Sequence, residues 1–243
     1  MGKPKRIVSR AAAVCASAAA MALGTVMAPA AHAAAPEHYY IEIGGTGNAL
    51  PAEQGCTKDY QAANNAQLDG VPVPVCYPAT AGPFIGGLTA PNYDASVNEG
   101  YQRAMDKVNE VHHDHPDARL TITGYSQGAQ IADQVLQTLV NRPDIPNSQV
   151  NGMLYADPMQ PGTGFAARIP KGLGALGFTS PGAGPDNFGG IPVRRFCIHT
   201  DGVCDATSLE SIGGYFTLHP TYPANYIPQT LKDNGRNGIQ WLP

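Results

Sequence analysis

The chain has 243 residues, with 15 Lys and Arg against 19 Asp and Glu for a formal net charge of −4 at pH 7, and 43% of it is hydrophobic. The acidic balance excludes a nucleic-acid-binding role built on a basic face. The length fits one large α/β domain better than two small ones, since no low-complexity linker divides it.

Lys3, Lys5, Arg6 and Arg10 precede an alanine-rich apolar stretch ending in Ala31-His32-Ala33, the pattern of a secretory signal peptide cleaved after Ala33. The alanine-rich composition and Pro29 argue against a retained membrane anchor. Residues 1–33 are therefore expected to be removed and 34–243 released as a single domain. Losing four basic residues leaves 11 against 19, a formal charge of −8. Losing Cys15 leaves Cys56, Cys76, Cys197 and Cys204, which allow three pairings. The sequence-local pairing, Cys56 with Cys76 and Cys197 with Cys204, is expected of an exported chain without a tight Cys-x-x-Cys metal pair.

The first predicted strand is 39–43, Tyr-Tyr-Ile-Glu-Ile, which stops at Gly44-Gly45-Thr46-Gly47. Residues 48–93 are rich in Pro and Gly, and Val71 to Pro78 suits an edge or second strand tied down by a disulfide. Ser96 with Glu99 reads as a capping box opening a helix in which Val97, Tyr101, Ala104, Met105, Val108 and Val111 share a face. That helix is predicted to end at the histidines before Pro116.

A strand at 119–123 then meets Gly124-Tyr125-Ser126-Gln127-Gly128, and a helix opens at Ala129, with Ile131, Ala132, Val135, Leu136, Leu139 and Val140 facing a core as far as Pro143. This is the pattern of a nucleophile elbow. A serine hydroxyl attacks poorly unless held on a sharp turn beside a base, and the two glycines let strand and helix approach closely enough to make that turn. Strands are predicted at 150–155 and 193–199. Between them, residues 160–191 are too long and too Gly/Pro-rich for an ordinary connection and read as a partly apolar flap beside the site. The strand–helix alternation implies an α/β fold.

A serine hydrolase of this architecture needs an acid and then a base after the serine. Asp201 follows the 193–199 strand between Cys197 and Cys204, where a disulfide would fix its loop, and His219 follows downstream in Leu218-His219-Pro220-Thr221-Tyr222. Asp157, at the end of the 150–155 strand, is the competing acid, and a turn role beside Pro158 is its bland reading. Asp205 is expected to be solvated, and His199 precedes Asp201 and breaks the required order. His112, His113 and His115 lack a facing pair and read as a helix terminus rather than a metal site. The Gly44 to Gly47 loop lacks the lysine of a phosphate-binding loop. No metal or cofactor is expected, and Tyr125 and Tyr222 receive no chemical role.

Together, Gly124-Tyr125-Ser126-Gln127-Gly128, Cys197-x-x-x-Asp201-x-x-Cys204 and His219-x-x-Tyr222 resemble the cutinase superfamily of α/β hydrolases. Met153-Leu154-Tyr155-Ala156-Asp157-Pro158-Met159-Gln160-Pro161-Gly162 looks more like the phage mycolylarabinogalactan esterases of the lysin B type and the actinobacterial PE-PPE hydrolase domain than like compact fungal cutinases. The resemblance implies a three-layer sandwich around a mostly parallel sheet. It also implies a Ser126 nucleophile, an Asp201 acid, a His219 base, and substrates with exposed acyl esters of lipid, polyester or cell envelope. The oxyanion would be met by the Gln127 N–H and by one from Gly45 or Thr46, with the Thr46 hydroxyl as a third donor.

Two function classes follow: a secreted, monomeric ester hydrolase, and a catalytically silent secreted binding protein on the same scaffold. Peptidases and acyltransferases use the same triad.

Overall fold

The computed structural model describes residue 2, residues 37–66 and residues 68–243, so the predicted signal peptide lies, but for Gly2, outside the described residues. Strand β1 (His38–Ile43) is buried along its whole length and leads through α1 (Gln61–Asn65) to β2 (Val71–Pro74). Then follow α2 (Tyr93–Asp114), β3 (Arg119–Tyr125), α3 (Gln127–Leu139) and β4 (Val150–Tyr155). A two-stranded hairpin, β5 (Gly174–Ala175) with β6 (Phe178–Thr179), precedes β7 (Val193–Ile198). The chain closes with α4 (Glu210–Thr217), α5 (Tyr222–Asn225), α6 (Ile227–Thr230) and β8 (Gly238–Leu242).

Six strands form one sheet in the order β2-β1-β3-β4-β7-β8, and every pairing in it is parallel. A parallel sheet is covered on both faces, which explains why β1 and β4 are buried without a polar side. On one face Ile41, Ile43, Leu120, Ile122 and Leu154 pack with Val97, Ala104 and Val108 of α2 and Ile131, Val135 and Leu136 of α3. On the other, Tyr40, Met153, Tyr155 and Phe196 pack with Tyr60, Tyr222, Ile227 and Leu231. Pro72 and Pro74 confine β2 to the edge, because a proline cannot donate to a second neighbour.

Both predicted disulfides form, Cys56 with Cys76 and Cys197 with Cys204. The start of α2 differs from expectation. Asn92 caps it, its side-chain oxygen accepting the Ala95 N–H at 2.9 Å, and Ser96 lies buried one turn in. Its hydroxyl donates to the Gln127 side chain at 3.1 Å and accepts the Thr80 N–H at 3.0 Å. Tertiary partners thus take the side chain that a capping box would use. Among the described residues no helix is long and apolar enough to cross a membrane.

Glu42 projects from β1 onto the second face, is 1% exposed, and has one oxygen accepting from Asn64 at 3.0 Å while the other has no partner among the described residues. Burial pushes its carboxyl up to about 8 from 4.5, with Asn64 pulling the other way. The fold therefore holds Glu42 neutral where the unfolded chain ionises it. Its contribution to stability is complete below about pH 4.5 and is lost as the pH rises to about 8, by about 5 kcal/mol at the alkaline end. In urea unfolding at pH 5 and pH 8.5, Glu42→Gln is expected to be more stable relative to wild type at the higher pH. An equal difference at both would contradict a neutral Glu42.

Candidate active site

Ser126 is the single residue between β3 and α3, with φ 58° and ψ −121°, a conformation that a non-glycine residue adopts only when its surroundings enforce it. The enforcement is visible. The Ser126 N–H donates to the Tyr155 carbonyl at 2.9 Å, and its own carbonyl accepts from Ala129 and Gln130 at 2.9 and 3.2 Å. A methyl group on Gly124 would run into the Gly128 carbonyl, and one on Gly128 into the Ile43 carbonyl, so both glycines of the motif are needed for the close approach.

The Ser126 hydroxyl lies 2.9 Å from His219 Nε2, and His219 Nδ1 lies 3.0 Å from Asp201 Oδ2. Residues 93 and 18 positions apart thus form one hydrogen-bonded relay. Asp201 is fully buried in the loop after β7, its second oxygen accepting the Val203 N–H at 3.1 Å. The Cys197–Cys204 bridge closes that loop with the two Cα atoms 5.8 Å apart. His219 opens a single 3₁₀ turn, His219–Thr221, just after α4. The Tyr125 hydroxyl donates to its carbonyl at 2.7 Å, and its ring stacks against Tyr125 and Tyr215 with centroids 5.0 and 5.5 Å away. With Asp201 accepting from Nδ1, the tautomer that leaves Nε2 free to accept the serine proton is the favoured one.

The bridge therefore acts on the relay through Asp201. In the double variant Cys197→Ser/Cys204→Ser, kcat on an ester is expected to fall about 10- to 100-fold, because a misplaced relay is costly. Tm should fall by only about 5–10 °C, leaving the protein folded at 25 °C. Parallel kinetics and melting curves check this, and an unchanged kcat would contradict it.

The loop after β1 corrects one expectation. Gly45 does not offer its N–H to the site, because it donates to Asp59 Oδ2 at 2.7 Å. The Gly47 N–H goes to Ala79 at 2.7 Å and that of Asn48 to the Gly45 carbonyl at 3.2 Å. The Thr46 N–H, like that of Gly44 at the start of the turn, has no partner among the described residues, and the Gln127 N–H at the first position of α3 likewise has none. The turn abuts the serine: a Cβ on Gly45 would sit 3.1 Å from that of Ser126. The Gln127 side chain points elsewhere, its Nε2 donating to the Thr80 carbonyl at 3.0 Å.

Ser126 and Thr46 stand between two clefts. One, of about 570 Å³, is walled by Phe84, Ile85, Tyr93, Phe165, Leu176 and Phe178 and is strongly apolar. The other, of about 470 Å³, carries Asn48, Lys58, Asp59 and His219. Phe165, Leu176 and Phe178 come from the 160–191 segment, which carries the β5–β6 hairpin and forms one wall of the apolar cleft.

The competing residues lie elsewhere in the fold. Asp157 accepts from Arg195 Nε at 2.8 Å and from the Met159 N–H at 2.9 Å, and Arg195 also donates to Asp133 at 2.6 Å, a buried network separate from His219. Asp205, expected to be solvated, is buried: its carboxylate accepts the Thr200 N–H at 2.9 Å and the Thr207 hydroxyl at 2.6 Å and so ties the loop together. His199 stacks on Trp241, 4.3 Å between centroids, and His115 sits 2.9 Å from Glu37 at the end of α2. Sequence reasoning missed Asp59, Tyr125 and Tyr215 at the site. The only signal for Tyr125 was its place inside the elbow motif.

A six-stranded parallel sheet with helices on both faces and a serine at the strand-to-helix elbow defines the cutinase-like α/β-hydrolase fold. Residues 70–233 match the PE-PPE domain, and the chain belongs to that family. The matched span contains Ser126, Asp201 and His219 but not the Gly44 to Gly47 turn. An uncharacterized PPE family protein of Mycobacterium tuberculosis, PPE28, is 28% identical over 210 residues, covering 79% of this chain and 30% of that protein. A carboxylesterase Culp6 homolog of Corynebacterium glutamicum is 31% identical over 164 residues, covering 54% of this chain and 53% of that protein. The chain thus spans between three tenths and about half of the length of these relatives. Among solved structures, a cutinase-like protein from Cryptococcus sp. superposes with a TM-score of 0.53 at 21% identity, covering 81% of this chain and 91% of that one, a likeness of fold.

Proposed function

We propose that the chain is a secreted serine carboxylic ester hydrolase acting through an acyl-enzyme on apolar acyl esters of lipid, polyester or cell-envelope type. The observation that carries this reading is the Ser126–His219–Asp201 relay opening on an apolar cleft of about 570 Å³, a volume within the usual range for small-molecule pockets. The carboxylesterase relative agrees with it, and two disulfides agree with export.

In this mechanism His219 Nε2 takes the Ser126 proton as Oγ bonds to the ester carbonyl carbon, whose π electrons move to oxygen. The oxyanion is met by the Thr46 and Gln127 N–H groups, and the Thr46 hydroxyl adds a third donor. The tetrahedral species collapses as His219 returns the proton to the departing alcohol oxygen, leaving the acyl group on Ser126. Water, deprotonated by His219, then repeats the sequence and releases the acid. Asp201 keeps the ring oriented and stabilises the imidazolium formed in both halves. The apolar cleft takes the acyl chain and the polar cleft faces the alcohol, an arrangement that favours esters over charged peptides.

A panel of p-nitrophenyl esters from acetate to palmitate tests this reading. Turnover that rises beyond acetate as the chain fills the apolar cleft is expected, and no turnover across the panel would overturn it.

A further inference from the structure

We propose that Asp59 is a positioning residue that fixes the direction of the Thr46 N–H, a role that rests on the esterase reading above. Asp59 is 1% exposed, lies outside the Ser126–His219–Asp201 relay, and nevertheless lines the same polar cleft as Ser126 and His219. A buried carboxylate with no part in the relay is costly to keep unless its hydrogen bonds do something specific.

Two of its bonds hold one turn, and a third ties it to its own neighbour. Oδ2 accepts the Gly45 N–H at 2.7 Å, Oδ1 accepts the Asn48 side-chain amide at 2.7 Å, and the Thr57 hydroxyl donates to Oδ2 at 3.2 Å. The carboxylate therefore holds both ends of the segment from Gly45 to Asn48. Between those ends the Gly45 carbonyl accepts the Asn48 N–H at 3.2 Å. In a planar trans peptide the carbonyl and the next N–H point in opposite directions, so fixing the Gly45 carbonyl aims the Thr46 N–H the other way. Asp59 grips the two residues whose mutual bond sets that plane.

The clamp is itself anchored. Asp59 follows Cys56 by three residues, and Cys56 is bridged to Cys76. Burial raises its pKa to about 6, while the Gly45 N–H, Thr57, Lys58 and His219 lower it, so the carboxylate is ionised at neutral pH. A charged acceptor makes the stronger bonds to the two N–H donors.

The test uses Asp59→Ala, Asp59→Asn and, as a milder change, Asn48→Ala, with melting curves to confirm folding. On a soluble p-nitrophenyl ester, Asp59→Ala is expected to lower kcat about 10- to 100-fold with KM within about twofold, since an oxyanion donor acts in the transition state. An alkyl boronic acid, which adds to Ser126 and places an anionic oxygen where the oxyanion forms, should lose affinity by the same factor. A change in KM alone, or undiminished boronate affinity alongside a reduced kcat, overturns the proposal. Amide exchange of the 44–50 segment is the arm that needs no turnover. It should accelerate at least about tenfold in Asp59→Asn and in Asn48→Ala, and unchanged exchange in both overturns the clamp. A wild-type chain that hydrolyses no ester sinks the esterase reading, and the exchange arm still decides whether Asp59 holds the turn.

Discussion

Ser126→Ala is expected to lower kcat on a short-chain ester by about 10⁴- to 10⁶-fold while leaving the melting temperature within a few degrees of wild type. The size follows from what the substitution removes. In the proposed mechanism the hydroxyl 2.9 Å from His219 forms the acyl bond, and without it neither half of that reaction has a covalent route. The fold should be indifferent, because the bonds that enforce the Ser126 turn run through its backbone N–H and carbonyl, which alanine retains. Alanine also keeps the same unfavourable φ, so the strain at the elbow neither rises nor falls. What remains after the substitution is the contribution of the oxyanion donors and substrate binding. Steady-state kinetics with active-site concentration held equal checks the result, and a Ser126→Ala rate within tenfold of wild type would remove the serine mechanism.

Asp201→Asn is expected to cost about 10⁴-fold in kcat, again with little loss of fold. An asparagine amide in place of Oδ2 would donate toward His219 Nδ1 and drive the ring proton to Nε2. That is the nitrogen that must accept from Ser126. The neutral side chain also withdraws the charge that stabilises the imidazolium. Asp201 is fully buried, so removing its negative charge spares a desolvation cost and should not unfold the chain. If Asp157 were the acid instead, Asp157→Asn would carry the kinetic loss. The structure commits Asp157 to Arg195, so that variant should lose stability before it loses turnover.

The parts of this molecule that could be read from its sequence were those governed by local rules. Tyr39 to Ile43 and Val150 to Tyr155 announce buried parallel strands by composition, and Gly124 to Gly128 announces an elbow because only glycines tolerate that approach of strand and helix. Asp201 was legible because two cysteines bracket it. Other features depend on partners far away in the chain. The closing strand β8 pairs with β7 across some forty residues, and its exposed Ile239 and Trp241 give no sign of a strand at the sheet edge. Ser96 fits a capping box, yet its hydroxyl is engaged by Gln127, 31 residues away. Gly45 looked like an oxyanion donor until its N–H met Asp59, 14 residues on. Arg195 draws Asp133 and Asp157 into one buried network from separations of 62 and 38 residues. Such pairings are decided by tertiary packing, which no window along the chain contains.

Covalent labelling asks whether Ser126 is an activated nucleophile. Incubation with an alkyl fluorophosphonate, followed by peptide mass spectrometry, should place one phosphonyl group on Ser126, with ester hydrolysis lost in proportion to labelling. Ester hydrolysis that persists after complete labelling, or a folded protein in which Ser126 stays unmodified while the ester is still turned over, would rule out Ser126 as the nucleophile.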